Sequence, residues 1–182
     1  MPLSVVILAA GQGKRMKSDR PKVLQPLAGR PLLGHVLDTS LGLEAAATHV
    51  VYGHGGEQVL GAFEGRAVHW VLQAEQHGTG HAVAQAMPLI PDDHQVLVLY
   101  GDVPMVQLDT LARLVAAAGP DAVSLLSVML PDPTGYGRVV RDDDDGIAGA
   151  VEILEQPEDF VAGRGVEIAR RFVRQQQARI RD

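Results

Sequence analysis

The feature that most constrains this chain is an alternation of short apolar runs with longer helical stretches between residue 3 and about residue 130. The apolar runs are rich in branched residues and are bounded by Gly, Pro or Asp. Such runs are typical of strands that are buried on both faces of a sheet. The predicted strands occupy residues 3–9, 49–52, 68–72, 95–100 and 122–129.

The stretches between these runs have the length and apolar spacing of helices. The predicted helices occupy residues 32–45, 57–63, 79–87 and 109–118. Because strand and helix alternate, the sequence predicts an α/β fold with right-handed crossovers and a Rossmann-like, doubly wound, mostly parallel sheet. Ligands of such sheets bind beyond the carboxyl ends of the strands, so the residues that follow each run are the candidates for a site.

Composition excludes several classes of protein. With 182 residues, 46% hydrophobic and 21% charged, the chain is long enough for one folded domain and too apolar to be disordered. A net charge of -6 argues against a general nucleic-acid or membrane partner, so any bound phosphate must be held by a local cluster of cations. The chain has no Cys, and its first apolar run is too short for a signal peptide, so we expect a cytoplasmic protein.

A glycine-rich loop follows the first predicted strand. Gly11 and Gly13 are followed by Lys14, Arg15 and Met16. A dinucleotide-binding loop would need Gly where Met16 stands, and a P-loop would need Ser or Thr where Arg15 stands, so neither pattern matches. Two glycines alone fit a simple tight turn equally well.

The lysines favour a phosphate site over a simple turn. All three lysines of the chain, at positions 14, 17 and 22, fall within nine residues, whereas every other basic residue is Arg. Backbone N–H groups of a glycine-rich loop can approach a phosphate closely, and neighbouring lysines neutralise its charge. The loop is therefore predicted to bind a phosphate group.

The loop and four later segments together resemble a known family. The later segments are residues 51–56, 70–82, 99–104 and 132–138. In order and spacing they are similar to the sugar-1-phosphate nucleotidylyltransferases, and among these to the uridylyltransferase half of bacterial bifunctional uridyltransferase–acetyltransferases. The resemblance runs from about residue 3 to Glu152. It implies that UTP and N-acetylglucosamine 1-phosphate form UDP-N-acetylglucosamine and pyrophosphate, for cell-wall and lipopolysaccharide precursors.

The resemblance also implies roles for individual residues. Arg15 would steady the phosphates during transfer, Lys22 would hold the phosphate next to the sugar, and Asp102 would bind Mg²⁺. Considered by itself, Asp102 fits a turn or a helix cap as well as a metal ligand. The implied nucleotide-binding residues are Leu8, Ala9, Ala10, Gly11, Gly13, Gln73, Gly78 and Thr79. The implied sugar-binding residues are Tyr100, Gly101, Gly137 and Glu152.

The end of the chain departs from the family. Residues 1–152 are predicted to form a partial nucleotidylyltransferase domain with an incomplete sugar-binding part, and residues 153–182 an unmatched basic tail that is helical. The family's second metal ligand is an Asn, and this chain contains none. The family's second domain is a left-handed β-helix of hexapeptide repeats, which carries acetyl transfer and the trimer contacts. No hexapeptide repeat is present in this sequence, so neither acetyl transfer nor those trimer contacts are expected.

Four acidic residues at 142–145 fit a solvated turn better than a metal site. His77 and His81 are four residues apart, but the glycines between them disfavour a helical metal site. Two alternatives to an active uridylyltransferase stay open. One is a nucleotide-binding protein without catalysis, and the other is a related nucleotidylyltransferase that acts on another phosphorylated acceptor.

Overall fold

The computed structural model describes residues 1–11, 18, 20–53, 56–119, 123–127 and 131–132, together with the backbone of 167–168. The described strands are β1 (Leu3–Leu8), β2 (Pro26–Leu27), β3 (Arg30–Pro31), β4 (Ala47–Tyr52), β5 (His69–Leu72), β6 (Gln95–Tyr100) and β7 (Glu167–Ile168). The described α-helices are α1 (Leu32–Leu41), α2 (Glu57–Ala62), α3 (Thr79–Ala86) and α4 (Leu108–Ala117). Short 3-10 helices cover Lys22–Leu24 and Met87–Leu89.

The main sheet has the strand order β5-β4-β1-β6-β7. Neighbouring strands are parallel from β5 to β6, and β7 is antiparallel to β6. Strand β1 is central: Leu3 to Leu8 pair with Gln95 to Tyr100 of β6, while the other side of β1 pairs with β4. The strand order therefore reverses at β1, which makes its carboxyl end a topological switch point.

Both faces of the sheet are covered by helices. Alternate residues of a strand face opposite sides, so Val5 and Ile7 pack into one core cluster while Val6 and Leu8 pack into another. The first cluster contains the apolar residues of α1, α2 and α4, and the second contains those of α3. The three residues Val5 to Ile7 have no exposed surface, as expected of an interior strand of a doubly wound sheet.

The predicted fold class is confirmed, and most predicted elements lie within a few residues of their observed positions. The run 95–100 is matched by β6 at both ends. For the predicted strand at 122–129, the structure describes 123–127, where Leu125 and Ser127 form isolated bridges.

The first predicted helix extends too far. We expected it to reach Ala45, but α1 ends at Leu41 and is followed by Gly42. Glu44 then adopts a φ of 50°, which a helix does not allow, and the Ala46 N–H donates to the Leu3 carbonyl at 2.8 Å. The chain leaves the helix early because it must turn back and start β4 beside β1.

The predicted terminal helix lies mostly outside the described residues. Within it, Glu167–Ile168 are extended, since they add β7 to the free edge of β6. The tetra-aspartate segment 142–145 also lies outside the described residues. In the part of the chain that the structure describes, no helix is both long and apolar enough to cross a membrane.

Candidate nucleotide-binding site

A cleft of about 260 Å³ opens at the carboxyl ends of β1 and β6. This is the switch point of the sheet, where ligands of doubly wound folds bind. The first loop, the Lys22–Leu24 turn, the segment after β5, the start of α3 and the segment after β6 all contribute to its walls. The lining residues are Leu8, Ala10, Gly11, Lys22, Val23, Gln73, Gln76, Gly78, Thr79, Ala82, Tyr100 and Asp102.

The end of β1 is held in place on both sides. The Ala9 N–H donates to the Val51 carbonyl at 2.7 Å, and Gln76 Nε2 donates to the Ala10 carbonyl at 2.7 Å. Gly53 makes the second contact possible, because a Cβ there would lie 2.8 Å from Gln76 Nε2 and 2.9 Å from the Ala10 oxygen. The loop backbone therefore enters the cleft in a fixed position.

Lys22 and Asp102 form an ion pair at the edge of the cleft. Lys22 Nζ lies 2.5 Å from Asp102 Oδ2, although the two residues are 80 positions apart. The Asp102 side chain is 19% exposed and that of Lys22 is 41% exposed. Asp102 follows β6 directly, so the sheet brings its carboxylate to the loop that follows β1. The pair places one half-buried cation and one more deeply buried carboxylate at the cleft.

Asp102 fits part of a divalent-metal site. It is the one carboxylate among the described residues that line the cleft, and a hard oxygen donor suits Mg²⁺. Within the described ranges, no three His, Asp or Glu residues come together as a metal-binding group. Mg²⁺ commonly takes one or two protein carboxylates and completes its coordination with substrate phosphates and water. The donor set observed here fits that mode of binding.

Gln73 is the most buried polar side chain in the cleft wall, with 3% of its surface exposed. Its backbone N–H donates to the Tyr52 carbonyl at 2.8 Å, which keeps the chain extended beyond β5. Its amide Nε2 lies 3.2 Å from the Gly78 carbonyl and 3.0 Å from His81 Nδ1. The amide is thus held against the start of α3.

Helix α3 begins at the cleft. Gly78 precedes the helix with a φ of 100°, a backbone conformation that residues other than glycine rarely adopt. The Gly78 carbonyl accepts the first helical bond, from the Ala82 N–H at 3.1 Å. The first amides of a helix have no partner within it, so the Thr79 end of α3 presents N–H groups to the cleft wall.

The structure brings together nine of the residues predicted from the sequence. They are Leu8, Ala10, Gly11, Lys22, Gln73, Gly78, Thr79, Tyr100 and Asp102. Ala9 and Gly101 lie beside the cleft rather than in its lining. The Gly101 N–H donates to the Leu8 carbonyl at 2.9 Å, and a Cβ at Gly101 would lie 3.2 Å from that oxygen. Gly101 therefore joins the end of β1 to the end of β6 beside the cleft, and Ala9 joins it to β4.

Four predicted site residues, Gly13, Arg15, Gly137 and Glu152, lie outside the described residues. Three lining residues were not predicted: Val23, Gln76 and Ala82. Gln76 lies inside one of the segments that carry the family resemblance, so its position in that segment was the available signal. Ala82 lies in the same segment and Val23 follows Lys22, but an apolar residue within a motif looks like core.

The fold and this cleft define a class of protein: α/β enzymes that bind a nucleotide at the switch point of a parallel sheet. The chain belongs to the family of MobA-like NTP transferase domains, which matches residues 5–151. It is therefore a nucleotidyltransferase by family.

The curated relatives agree with the resemblance found in the sequence. The chain is 62% identical over 151 residues to "Bifunctional protein GlmU" of Halorhodospira halophila, a match that covers 83% of this chain and 31% of that protein. The chain thus spans about a third of the length of the curated relatives it matches.

Solved structures share the fold. A nucleotidyl transferase from Methanothermobacter thermautotrophicus superposes with a TM-score of 0.63 at 26% identity, covering 69% of this chain and 62% of that one. The manganese complex of Rv0371c from Mycobacterium tuberculosis superposes with a TM-score of 0.60 at 20% identity, covering 70% of this chain and 65% of the other. The second likeness concerns the fold alone.

Proposed function

We propose that this chain transfers the uridylyl group of UTP to N-acetylglucosamine 1-phosphate, forming UDP-N-acetylglucosamine and pyrophosphate. The observation that carries the proposal is the convergence of Lys22, Asp102 and Gln73 on one cleft, in a chain 62% identical to a GlmU protein. These residues offer a cation for a phosphate, a carboxylate for a metal ion and an amide for a base.

The reaction needs charge neutralisation and positioning more than a protein base. A phosphate oxygen of the sugar phosphate is already an anionic nucleophile, and it forms a bond to the α-phosphorus of UTP while the bond to the leaving pyrophosphate breaks. Lys22 would neutralise the phosphate of the acceptor, and the backbone of Ala10 and Gly11 would hold the nucleoside. Arg15, which lies outside the described residues, would act on the transferring phosphates.

Asp102 would hold Mg²⁺ together with the phosphates of the substrates. A bound divalent ion would supply Lewis-acid stabilisation of the charge that develops on the phosphate oxygens. The choice of Mg²⁺ rests on the carboxylate donor and on the use of substrate phosphates as ligands. The manganese complex of a protein with the same fold is consistent with a divalent cation in this family of structures.

Tyr100, which lines the cleft beside Asp102, is the described residue that we assign to the sugar side. Gly101 supports it from below, and Gly137 and Glu152 complete the proposed sugar subsite. The substrates are small phosphorylated molecules, so we propose a cytoplasmic enzyme that supplies precursors of the cell wall and of lipopolysaccharide, without a nucleic-acid or membrane partner.

The proposal is tested by measuring pyrophosphate release from UTP and N-acetylglucosamine 1-phosphate with Mg²⁺. We expect release to require both substrates and the metal. Asp102→Ala should lower the rate at least ~100-fold, because a metal ion contributes several kcal/mol of transition-state stabilisation. The exposed carboxylate of Asp93 provides a matched control, and Asp93→Ala should leave the rate unchanged. A wild-type rate equal to that of Asp102→Ala would refute the proposal.

A second function, nucleotide binding without catalysis, is favoured by one observation. The described cleft has a single carboxylate, and the chain has no Asn to serve as the family's second metal ligand. Calorimetry separates the two functions. Binding of UTP without pyrophosphate release would support the second, whereas release above the Asp102→Ala background would exclude it.

A further inference from the structure

Three side chains form a hydrogen-bonded row that starts at the cleft and runs along α3. Gln73 Nε2 lies 3.0 Å from His81 Nδ1, and His81 Nε2 lies 3.1 Å from the amide of Gln85. Gln73 is buried, whereas His81 and Gln85 are partly exposed. The imidazole of His81 therefore connects the amide in the cleft wall to the solvent side of the helix.

The protons of this row can be assigned from the acceptor at its buried end. The Gly78 carbonyl can only accept, so the Gln73 atom 3.2 Å away from it is the NH₂ group. The same NH₂ group faces His81 Nδ1, which must then be an acceptor. A neutral imidazole carries one N–H, so that proton is on Nε2. Gln85 then presents its amide oxygen to His81 Nε2. Exchanging the two ends of this amide gives up its long 3.4 Å contact with the His81 carbonyl, which is the weaker contact and belongs to a partly exposed side chain.

Placing the His81 proton on Nδ1 instead conflicts with the contact between Gln73 and the Gly78 carbonyl. If His81 Nδ1 carried the proton, Gln73 would have to present its oxygen to it. That oxygen would then face the Gly78 carbonyl oxygen, on a side chain that is 3% exposed. The partly exposed Gln85 amide can turn over and bond to solvent, whereas the buried Gln73 amide cannot. Gln73 therefore decides the tautomer of the His81 ring.

This arrangement leaves the Gln73 oxygen for a ligand. Both contacts of the Gln73 amide to described residues use Nε2, and Gln73 lines the cleft. A carbonyl oxygen at this position accepts a hydrogen bond from an imide N–H, which uracil has at N3. Cytosine has an unprotonated N3 there, which would place two acceptors opposite each other.

We propose that His81 is a positioning residue: its Nδ1 lone pair is the second acceptor, beside the Gly78 carbonyl, that holds the Gln73 amide in the orientation by which the cleft selects uracil over cytosine. The inference rests on the proposed function, since it concerns the base of the same nucleotide. His81 is not among the residues that line the cleft, so it acts through Gln73.

The test compares the binding of UTP and CTP by calorimetry at pH 8, which requires no turnover. His81→Leu removes one of the two acceptors that hold the Gln73 NH₂ group, so the orientation in which Gln73 donates to cytosine N3 becomes easier to reach. We expect the ratio of the two affinities to fall about fivefold, since an unpaired buried polar group costs roughly that. His81→Asn is the matched control, because its Oδ1 can replace Nδ1 as an acceptor, and it should keep most of the ratio.

A purely structural role for His81 would weaken UTP and CTP binding alike, and an unchanged ratio in His81→Leu would overturn the inference. If the wild-type chain itself binds UTP and CTP equally, the proposed uridine specificity fails and the inference fails with it. Nitrogen-15 NMR of the His81 ring gives a second readout that does not depend on the folding of a variant. We expect the Nε2–H tautomer at pH 8, and the Nδ1–H tautomer would contradict the assignment.

Discussion

The ion pair of Lys22 and Asp102 sets the charge that an incoming nucleotide or cation meets. With Nζ 2.5 Å from Oδ2, the lysine occupies the carboxylate that we assign to Mg²⁺. A free divalent cation must compete with it, whereas a cation that arrives with phosphate groups offers Lys22 a new partner. The pair therefore favours binding of the metal together with the nucleotide.

This competition can be measured without turnover. Lys22→Met keeps the length of the side chain and removes its charge, so Asp102 becomes available. In the absence of nucleotide we expect Mn²⁺ to bind the variant several-fold more tightly than wild type, as followed by electron paramagnetic resonance of the free ion. Lys22→Arg keeps a cation beside Asp102 and should not show this gain. Equal Mn²⁺ affinity in all three proteins would show that the pair does not restrict the metal.

His49 gives the molecule a pH-dependent stability. It is 2% exposed, both of its ring nitrogens lack a partner among the described residues, and its ring stacks on His69 with centroids 5.0 Å apart. Burial lowers the pKa of His49, and the charges of His69 and His94 lower it further. The unfolded chain thus binds a proton at a pH where the folded chain does not, and stability decreases as pH falls through about 6.5.

We expect His49→Leu to flatten this dependence. One proton contributes at most about 1.4 kcal/mol per pH unit to the slope of the unfolding free energy, and the variant should lose a part of that slope between pH 7.5 and 5.5. Urea denaturation at several pH values provides the measurement. His77, whose side chain is 64% exposed, supplies the comparison, since His77→Gln should keep the wild-type slope. If His49→Leu kept it too, the burial of His49 would not be the cause.

Single residues also show what the sequence could and could not predict. Lys22, Gln73 and Asp102 were predicted for the cleft because their segments match a family. The contact between Lys22 and Asp102 was not predictable from spacing, since it depends on β1 and β6 being neighbours. Gln76 was missed for a similar reason: its role is to hold the Ala10 carbonyl, 66 positions away.

The end of β4 shows how an element positions the cleft. Gly53 leaves space for Gln76 to reach the Ala10 carbonyl, and a methyl group there would be within 3 Å of both partners. Gly53→Ala should therefore displace the loop backbone and weaken UTP binding about tenfold, roughly the effect of losing one hydrogen bond in a buried site. Calorimetry with UTP provides the measurement.

Gly61 is the matched glycine for that experiment. It lies in α2, and a Cβ there would meet nothing within 4 Å. Gly61→Ala should leave UTP binding unchanged and raise the unfolding free energy by up to about 1 kcal/mol, because alanine is the better helix former. Weaker UTP binding in both variants would indicate a general effect of added methyl groups rather than the specific contact at Gly53.

Among the elements, strands were easier to place than helix ends. Continuous branched runs marked β1 and β6 because both strands are buried on both faces. The predicted helix at 32–45 continued through Leu43, Glu44 and Ala45, which favour a helix. The pairing of β4 with β1, however, requires the chain to turn at 42–44. Tertiary pairing, which the local sequence does not encode, decided that boundary.

At the scale of the whole molecule, β7 covers part of the outer edge of β6. Strand β6 is an apolar strand, and Glu167–Ile168 pair with Leu97 and Val98 along its outer side. An uncovered apolar edge strand promotes association between chains. The alternation of strands and helices in the sequence predicted the fold class but not this strand. Strand β7 is only two residues long, and its partner β6 is far away in sequence.

Ile168→Pro tests the protection of that edge. Proline has no backbone N–H and cannot continue a ladder of hydrogen bonds, so the variant should self-associate more strongly as concentration rises. Light scattering over a concentration series provides the measurement. Ile168→Val keeps both the N–H and the preference for strand, and it should behave as wild type. Identical scattering from the proline and valine variants would exclude a protective role for β7.

The central position of β1 also bears on how the protein is made. Among the described strands β1 is synthesised first, yet its neighbour β6 begins at Gln95, which pairs with Leu3 92 positions earlier. While the ribosome is still adding that stretch, the apolar edge of β1 that will meet β6 has no partner. Parallel pairings between distant segments form slowly, and nascent chains with open edges are exposed to aggregation. A binding cleft centred on β1 is thus complete only once the chain has been translated through Asp102.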